Sequence, residues 1–414
     1  MTLSIEKNLA PADQGELAAV IGEAYAADTP LYPIGGGTSL EFGLPAKSPG
    51  QGLSLAKLNR VVDYPARDLT VTVEAGVTMR TLSDLLATER QRLPIDVPQA
   101  EQATVGGVVA TNFNGPRRYG LGTIRDYVIG ISAIDGRGSP FKGGGRVVKN
   151  VAGYDFCKLL TGSLGTLGVI AQVTFKLRPL PEQSLLLATV VNTPEQAEKL
   201  LVALSASETT PVAIELLAGP AWDSDPAFQT FDRSAAGRMY LVVAFEGLES
   251  EIEWMTKQLA AEWRALDFDP PLAVGESSDL WQRLIEFPAR DASPLVLKAA
   301  VAPSGTTHFI AAARKLDPAV SIQAHAGNGI VLVKFARFPE QGLSRAVVGN
   351  LQTVAAAYHG NVTVLANPSR AEMTHQSAWG GIDAEFPLMT AVKRKFDPKD
   401  ILNRGRFVYV DAVG

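Results

Sequence analysis

A single cysteine, Cys157, stands in a chain of 414 residues. An internal disulfide, a cysteine-held iron–sulfur cluster and a thiolate zinc site are therefore excluded, and electrons entering this chain need another carrier. Positive charge is also in short supply. Lys and Arg total 38 against 43 Asp and Glu, a net charge of -5, which offers no broad cationic surface to nucleic acid. Residues 1–8 lack the basic-then-apolar order of a signal peptide, and no apolar run is long enough to span a bilayer, so a cytoplasmic location is expected. Asn361-Val-Thr363 matches a glycosylation acceptor and, without a secretory route, reads as chance. Low-complexity tracts and repeats of short period are absent.

What is present is a soluble, globular composition, 46% hydrophobic and 20% charged. The length exceeds what one hydrophobic core organises and predicts two domains, or three. Apolar positions at helical spacing predict a helix over 14–27, followed by a strand at 29–34 and a glycine turn. A strand at 69–74, a helix at 79–88, a strand near Leu93 and a small-residue segment at 104–112 follow. Asp135-Gly136 between two strand-like runs signals a hairpin in which both turn positions tolerate positive φ. After a strand at 168–177, Pro179 and Pro181 remove backbone donors, which places the boundary between a first domain, 1–180, and a second, 181–414. The second opens strand-helix-strand-strand-helix over 185–263, the order of a ferredoxin-like sheet with helices on one face. Strands at 294–302, 321–324 and 330–335 with helices at 306–315 and 341–358 extend it, and a tail helix covers 386–396. The fold class is α+β.

Three glycine segments carry chemistry. Pro33-Ile-Gly-Gly-Gly-Thr-Ser39 follows a predicted strand, and its glycines let successive N–H groups turn toward one point, a pyrophosphate cradle or simply a tight connection. It is neither a Rossmann fingerprint, since Leu40 stands where the third glycine is required, nor a P-loop, since no Gly-Lys-Ser/Thr follows. Thr104-Val-Gly-Gly-Val-Val-Ala-Thr-Asn112 offers close-approach glycines and hydroxyls against which a flat ring or ribose could lie; a close-packed helix start would read the same way. Gly153 to Ile170 spaces glycines at 162, 165 and 168 before a strand. Arg117, Arg118 and Arg125 surround Tyr119-Gly-Leu-Gly122, either as cations beside a bound cofactor that carries negative charge when reduced or as solvated arginines.

In this order the three segments resemble the FAD-binding domain of the vanillyl-alcohol oxidase (p-cresol methylhydroxylase, PCMH) family over residues 1–180. The resemblance implies a PCMH-type FAD-binding domain of two subdomains, followed by a ferredoxin-like FAD-linked oxidase C-terminal domain at 181–414 whose tail returns toward the flavin. It also implies a set of cofactor contacts. Gly35, Gly36, Gly37, Thr38 and Ser39 wrap the pyrophosphate, while Pro98, Thr104, Gly106, Gly107, Ala110, Thr111 and Ile170 line the adenosine and isoalloxazine. Covalent members attach flavin through His or Cys, and the regions 35–40 and 104–119 contain neither, so FAD is expected to be non-covalent.

His325-Ala-Gly-Asn-Gly329 resembles the His-x-Gly-Asp-Gly-Asn-x-His motif of the 2-hydroxy-acid dehydrogenase branch, where imidazoles converge on substrate, often around a divalent metal. His325 is retained, whereas Asn328, Ile330 and Leu332 stand at the other polar positions, and no later Glu-His-Gly follows. A lone histidine makes no metal site, so no metal is expected. His325 is the candidate catalytic residue, with a hydrogen-bonded loop histidine as the alternative; a rearranged site could instead draw its base from Tyr358, His359 or Arg370. The ending Asp397-Pro-Lys-Asp-Ile-Leu-Asn403-Arg-Gly-Arg406 resembles the family's C-terminal Asp-Pro-x-x-Ile-Leu-Asn-Pro-Gly-Arg, which makes Asn403 a cofactor candidate. The pattern as a whole resembles the E-type subunits of bacterial glycolate oxidases. That resemblance implies partners in a D-type flavoprotein subunit and an F-type iron–sulfur subunit, a small 2-hydroxy acid as substrate, and a membrane reached only through the complex. An autonomous FAD-dependent 2-hydroxy-acid dehydrogenase and a non-catalytic assembly subunit are the alternatives.

Overall fold

Strands buried on both faces set the architecture of the computed structural model, which describes residues 3–145, 153–231, 237–274, 278–289, 293–381 and 385–407. The chain separates into two compact units. The first comprises Met1–Asn114, Thr123–Leu180 and Ile382–Gly414; the second comprises Gly115–Gly122 and Pro181–Gly381. Two segments thus depart from a cut at 180: Gly115–Gly122 goes with the second unit, and Ile382–Gly414 with the first. Backbone pairing explains both. Gly120 N–H donates to Val212 O at 3.1 Å, while Leu31 N–H donates to Ile401 O at 2.7 Å and Asn403 N–H returns to Leu31 O at 2.9 Å.

In the first unit β1 (Ile5–Leu9), β2 (Leu31–Ile34) and β3 (Gly50–Ser54) form a parallel sheet in the order β1-β3-β2. The helix Gln14–Ala26, capped by Asp13, makes the crossover between β1 and β2. β3 escapes detection in the sequence because Gly50 and Gly52 erase its strand signal. The same glycines admit the neighbours: a Cβ on Gly50 would meet the Tyr32 ring at 2.8 Å and Pro30 Cβ at 2.9 Å.

A second sheet, antiparallel, runs β4-β5-β9-β7-β8 through β4 (Val61–Asp63), β5 (Thr70–Glu74), β7 (Val128–Ile134), β8 (Pro140–Gly144) and β9 (Val169–Lys176). Short strands β6 (Gln91–Arg92) and β10 (Arg178–Pro179) pair with each other. The β7–β8 hairpin forms, but its positive φ falls on Gly138, at 84°, and not on Asp135-Gly136. The Asp135 carboxylate decides this by accepting N–H bonds from Arg137 and Ser139 at 2.9 and 2.8 Å, which closes a longer loop.

The second unit is one eight-stranded antiparallel sheet in the order β14-β11-β13-β12-β16-β17-β15-β18. Its strands are β11 (Gln183–Val191), β12 (Ala213–Ala218), β13 (Met239–Gly247), β14 (Leu272–Ala273), β15 (Leu295–Ala300), β16 (Ser321–His325), β17 (Ile330–Phe335) and β18 (Asn361–Ala366). Each half is strand-helix-strand-strand-helix-strand with the outer strand beside the first, the ferredoxin-like order, and the halves join where β12 pairs with β16. The helices Pro194–Ser205, Glu249–Arg264 and Thr306–Leu316 cover one face with Leu200, Leu259 and Phe309. The opposite face packs Trp222, Phe228, Trp281 and Phe287. The expected helix 341–358 is wound in two manners, a wide π turn over Ser344–Leu351 and an α-helix over Gln352–Ala357. Asn350 donates its side-chain amide to Arg345 O, five residues back, across the wide turn.

Candidate functional site

In the first unit the chain leaves β2 at Ile34 into the first glycine segment. None of the five N–H groups from Gly35 to Ser39 donates a hydrogen bond among the described residues. Gly36, Gly37 and Ser39 are exposed, so these donors remain available to a ligand. Gly37 holds φ at 77° with room around it, which turns successive N–H groups inward. A Cβ on Gly36 would overlap the Gln102 carbonyl, and one on Gly35 the Thr104 hydroxyl. The first segment therefore lies directly against the second, and only glycine fits the seam.

The second segment is a helix, Val105–Thr111, capped by Thr104. Gly106 packs on Ala75, where an added Cβ would come within 2.7 Å of the alanine Cβ. Gly107 and Ala110 stay partly open, while Thr111 donates its hydroxyl to Gly107 O at 2.9 Å. Pro98 precedes the turn at Gln99, whose φ is 54°, and that turn delivers the chain to Thr104 through Gln102 and Ala103, both bonded to Gln99 O. The third segment then closes on this helix: Gly162 N–H donates to Val109 O at 2.9 Å and Leu164 N–H to Ala110 O at 2.8 Å. Ile170, in β9, is 3% exposed and its side chain belongs to the core.

The tail reaches the same place. Asn403, at φ 48°, donates its amide to Leu164 O at 2.6 Å. Its Oδ1 and the hydroxyl of Ser163 are buried polar atoms with no partner among the described residues. Lys393 anchors the tail, with its ammonium 2.6 Å from Asp397 and 3.0 Å from Asp400 while it donates to the carbonyls of Thr166 and Leu402. All three glycine segments and Asn403 thus converge in one unit. Available N–H donors, glycine-only seams and orphaned buried polar atoms suit a long ligand carrying a pyrophosphate. Cys157 offers no thiolate, since burial pushes its pKa up to about 11.

In the second unit the polar groups gather on the face opposite the helices Pro194–Ser205 and Glu249–Arg264. Cross-strand pairing places Glu215 opposite His325, Gln323 opposite Leu332, and Leu332 opposite Lys298. Glu215 is 1% exposed, and its carboxylate lies 2.8 and 2.9 Å from His325 Nδ1 while accepting from Gln323 Nε2 at 2.8 Å. No described residue hydrogen-bonds His325 Nε2. Lys298 is partly buried; desolvation first, and then the charge of Arg118, bring its pKa down to about 8.

The segment Gly115–Gly122 packs onto this unit. Arg117 donates to Glu246 at 2.7 Å and lies over Trp281, 4.0 Å from the ring centroid. Tyr119 packs on Gly327, at a spot a Cβ would fill. The three arginines read together in the sequence therefore part company: Arg117 and Arg118 serve the second unit, and exposed Arg125 lies in the first.

Asn328, Ile330 and Leu332 leave His325 without metal-ligating neighbours in its motif, and no group of three or more His, Cys, Asp or Glu capable of holding an ion occurs among the described residues. Tyr358 packs beneath Gly305 and against His308 on the other side of the sheet, and His359 is exposed. Glu215, Gln323 and Lys298 were not singled out in the sequence. Their signal was there: a lone polar residue inside each of the strand runs AIELLA and LVLKAA, and a polar residue at every second position of SIQAH.

Two families of known proteins match parts of the chain. A family described as "FAD binding domain" matches residues 7–144, and one described as "FAD linked oxidases, C-terminal domain" matches residues 380–407. A D-lactate dehydrogenase of Archaeoglobus fulgidus is 30% identical over 416 residues, covering 96% of this chain and 90% of that protein. Glycolate oxidase subunit GlcE of Escherichia coli is 36% identical over 176 residues, 42% of this chain and 50% of that subunit. Glycolate oxidase subunit GlcD of Bacillus subtilis is 26% identical over 425 residues, 98% of this chain and 89% of that subunit. Among solved structures, alkyldihydroxyacetonephosphate synthase superposes with a TM-score of 0.70 at 17% identity, over 97% of this chain and 77% of that one, a likeness of fold.

Proposed function

Because the chain belongs to the family of FAD-binding, FAD-linked oxidoreductases that includes D-lactate dehydrogenases and glycolate oxidase subunits, we propose that it oxidises a small 2-hydroxy acid, such as glycolate or D-lactate, to the 2-oxo acid. FAD is its cofactor, and when bound it supplies a two-electron hydride acceptor. Gly35–Ser39 hold the pyrophosphate on their backbone N–H groups. Pro98, Thr104, Gly106, Gly107, Ala110 and Thr111 border the rest of the ligand, with Ile170 at its margin and the Asn403 amide oxygen as a further acceptor. No cysteine or histidine lies in those segments, which keeps the cofactor dissociable.

One observation carries the substrate class: an imidazole oriented by a carboxylate, His325 on Glu215, shares a face with the cation Lys298, and Arg118 lies near enough for its charge to act on that lysine. Lys298 and Arg118 attract the substrate carboxylate and fix which end of the molecule faces His325. His325 Nε2 takes the hydroxyl proton as the hydrogen on C2 departs with its electron pair. The bond order at C2–O rises to two, and the acid is oxidised by two electrons.

A second reading is favoured by the match to GlcE together with Asn328, Ile330 and Leu332 at the motif positions. In it the chain is an E-type subunit working beside a D-type flavoprotein and an F-type iron–sulfur subunit, cytoplasmic and meeting the membrane only through the complex. One experiment separates the two. The purified, FAD-loaded chain is mixed anaerobically with glycolate and D-lactate while the visible spectrum is recorded. Bleaching of the flavin by the chain alone supports autonomous oxidation. A yellow chain inert to both acids, yet required when the partner subunits are added back, overturns it in favour of the complex.

A further inference from the structure

We infer that Glu215, supported by Gln323, is the positioning residue that sets the tautomer of His325 and so makes Nε2 the proton acceptor. The inference rests on the 2-hydroxy-acid oxidation proposed above.

A carboxylate buried to 1% exposure is costly unless donors compensate it. Two such donors converge on Glu215: Gln323 Nε2 at 2.8 Å and His325 Nδ1 at 2.8 Å from one oxygen and 2.9 Å from the other. A carboxylate only accepts, so Nδ1 must carry the hydrogen. In the neutral ring Nε2 then holds the lone pair. The arrangement is built into the sheet: Glu215 and His325 are cross-strand partners at the junction of β12 and β16, and Gln323 lies two residues from His325 on the same face. Gln323 Oε1 is buried without a partner among the described residues, and the amide is held there by its donor side. When the substrate O–H bond breaks and its proton moves to Nε2, the ring becomes an imidazolium, and the fixed negative charge of Glu215 at Nδ1 stabilises it.

The chain has four histidines, which makes the ring nitrogens of His325 assignable by 15N NMR after His325→Gln subtraction. In the neutral imidazole form, wild type is expected to show a protonated Nδ1 and a bare Nε2. Glu215→Gln is expected to give a mixture of tautomers, to slow flavin reduction by the hydroxy acid about 100-fold or more, and to change the pH profile of that rate. Glu215→Asp, which keeps the charge, recovers part of the loss. Gln323→Met, which keeps the size, costs about tenfold. An Nε2–H tautomer in wild type overturns the inference. So does Glu215→Gln with unchanged ring shifts and flavin reduction within about threefold of wild type. Should Glu215→Gln fail to fold, wild type and Gln323→Met decide by the same two readouts. If no hydroxy acid bleaches the wild-type flavin, the oxidation reading falls, while the ring nitrogens still report whether Glu215 sets the tautomer.

Discussion

Arg118, in the segment Gly115–Gly122, lies near enough to Lys298 on β15 for its charge to add to desolvation in bringing the lysine pKa down to about 8. Two cations set together cost stability, and under the proposed oxidation they would bind the substrate carboxylate, a balance common where function strains a fold.

The pH dependence follows with a definite sign. Lys298 is charged below about pH 8 in the folded protein, against an ordinary value of 10.5. Between those values the unfolded chain binds more protons than the native one, so this group makes stability rise with pH over that window. Substrate binding runs the other way. KM for the hydroxy acid should climb up to about tenfold per pH unit above 8, with kcat moving less, as the ammonium is lost. Lys298→Met should raise KM about 100-fold at pH 7, abolish that alkaline rise and increase the melting temperature. Steady-state kinetics across pH and thermal melts check all three.

Gly36→Ala should cost the cofactor. The new methyl overlaps the Gln102 carbonyl, so the seam between the first two glycine segments must open. FAD affinity should fall about 100-fold or more, measured by titrating apoprotein with FAD and following flavin fluorescence. Gly22→Ala is the contrasting control. It lies inside the helix Gln14–Ala26 with its nearest neighbour at an ordinary 3.8 Å, and it should stabilise by about 0.5–1 kcal/mol with FAD binding unchanged.

Lys393→Met should destabilise the first unit by about 3–5 kcal/mol, because it leaves Asp397, 1% exposed, without its ammonium. Asp397 also accepts the N–H groups of Ile401 and Leu402, so the loss should extend to FAD retention. Chemical denaturation read by tryptophan and by flavin fluorescence measures both.

Asn403→Leu separates the tail's two roles. Leu164 O loses its donor, which should cost about 1–3 kcal/mol. If Asn403 Oδ1 also meets the cofactor, FAD affinity drops more than global stability explains, about tenfold beyond it; equal losses in FAD-free and FAD-bound melts would count against that contact.

Much of this was legible in the sequence where a residue pattern has one physical cause. The helix at 386–396 and the strand at 330–335 have the observed bounds, because apolar periodicity and flanking breakers agree there. The hairpin was legible, but its turn was not, since the Asp135 side chain outbids the dipeptide signal. In the site, glycine spacing exposed the first-unit cradle, whereas Glu215, Gln323 and Lys298 come together only through strand order. Register across four strands is a long-range property. Residues 215, 298 and 323 become neighbours on a face only once β12, β16, β17 and β15 are known to be adjacent.

The tail pairing carries a consequence for synthesis. Leu31 exchanges backbone hydrogen bonds with Ile401 and Asn403, so the parallel sheet bearing the first glycine segment lacks its last partner until residue 403 has left the ribosome. The second unit, whose strands all lie between 183 and 366, has by then emerged whole. Nascent chains should therefore mature out of order: the middle of the protein folds during translation, and FAD is captured only afterwards, by a domain whose two ends have waited for each other.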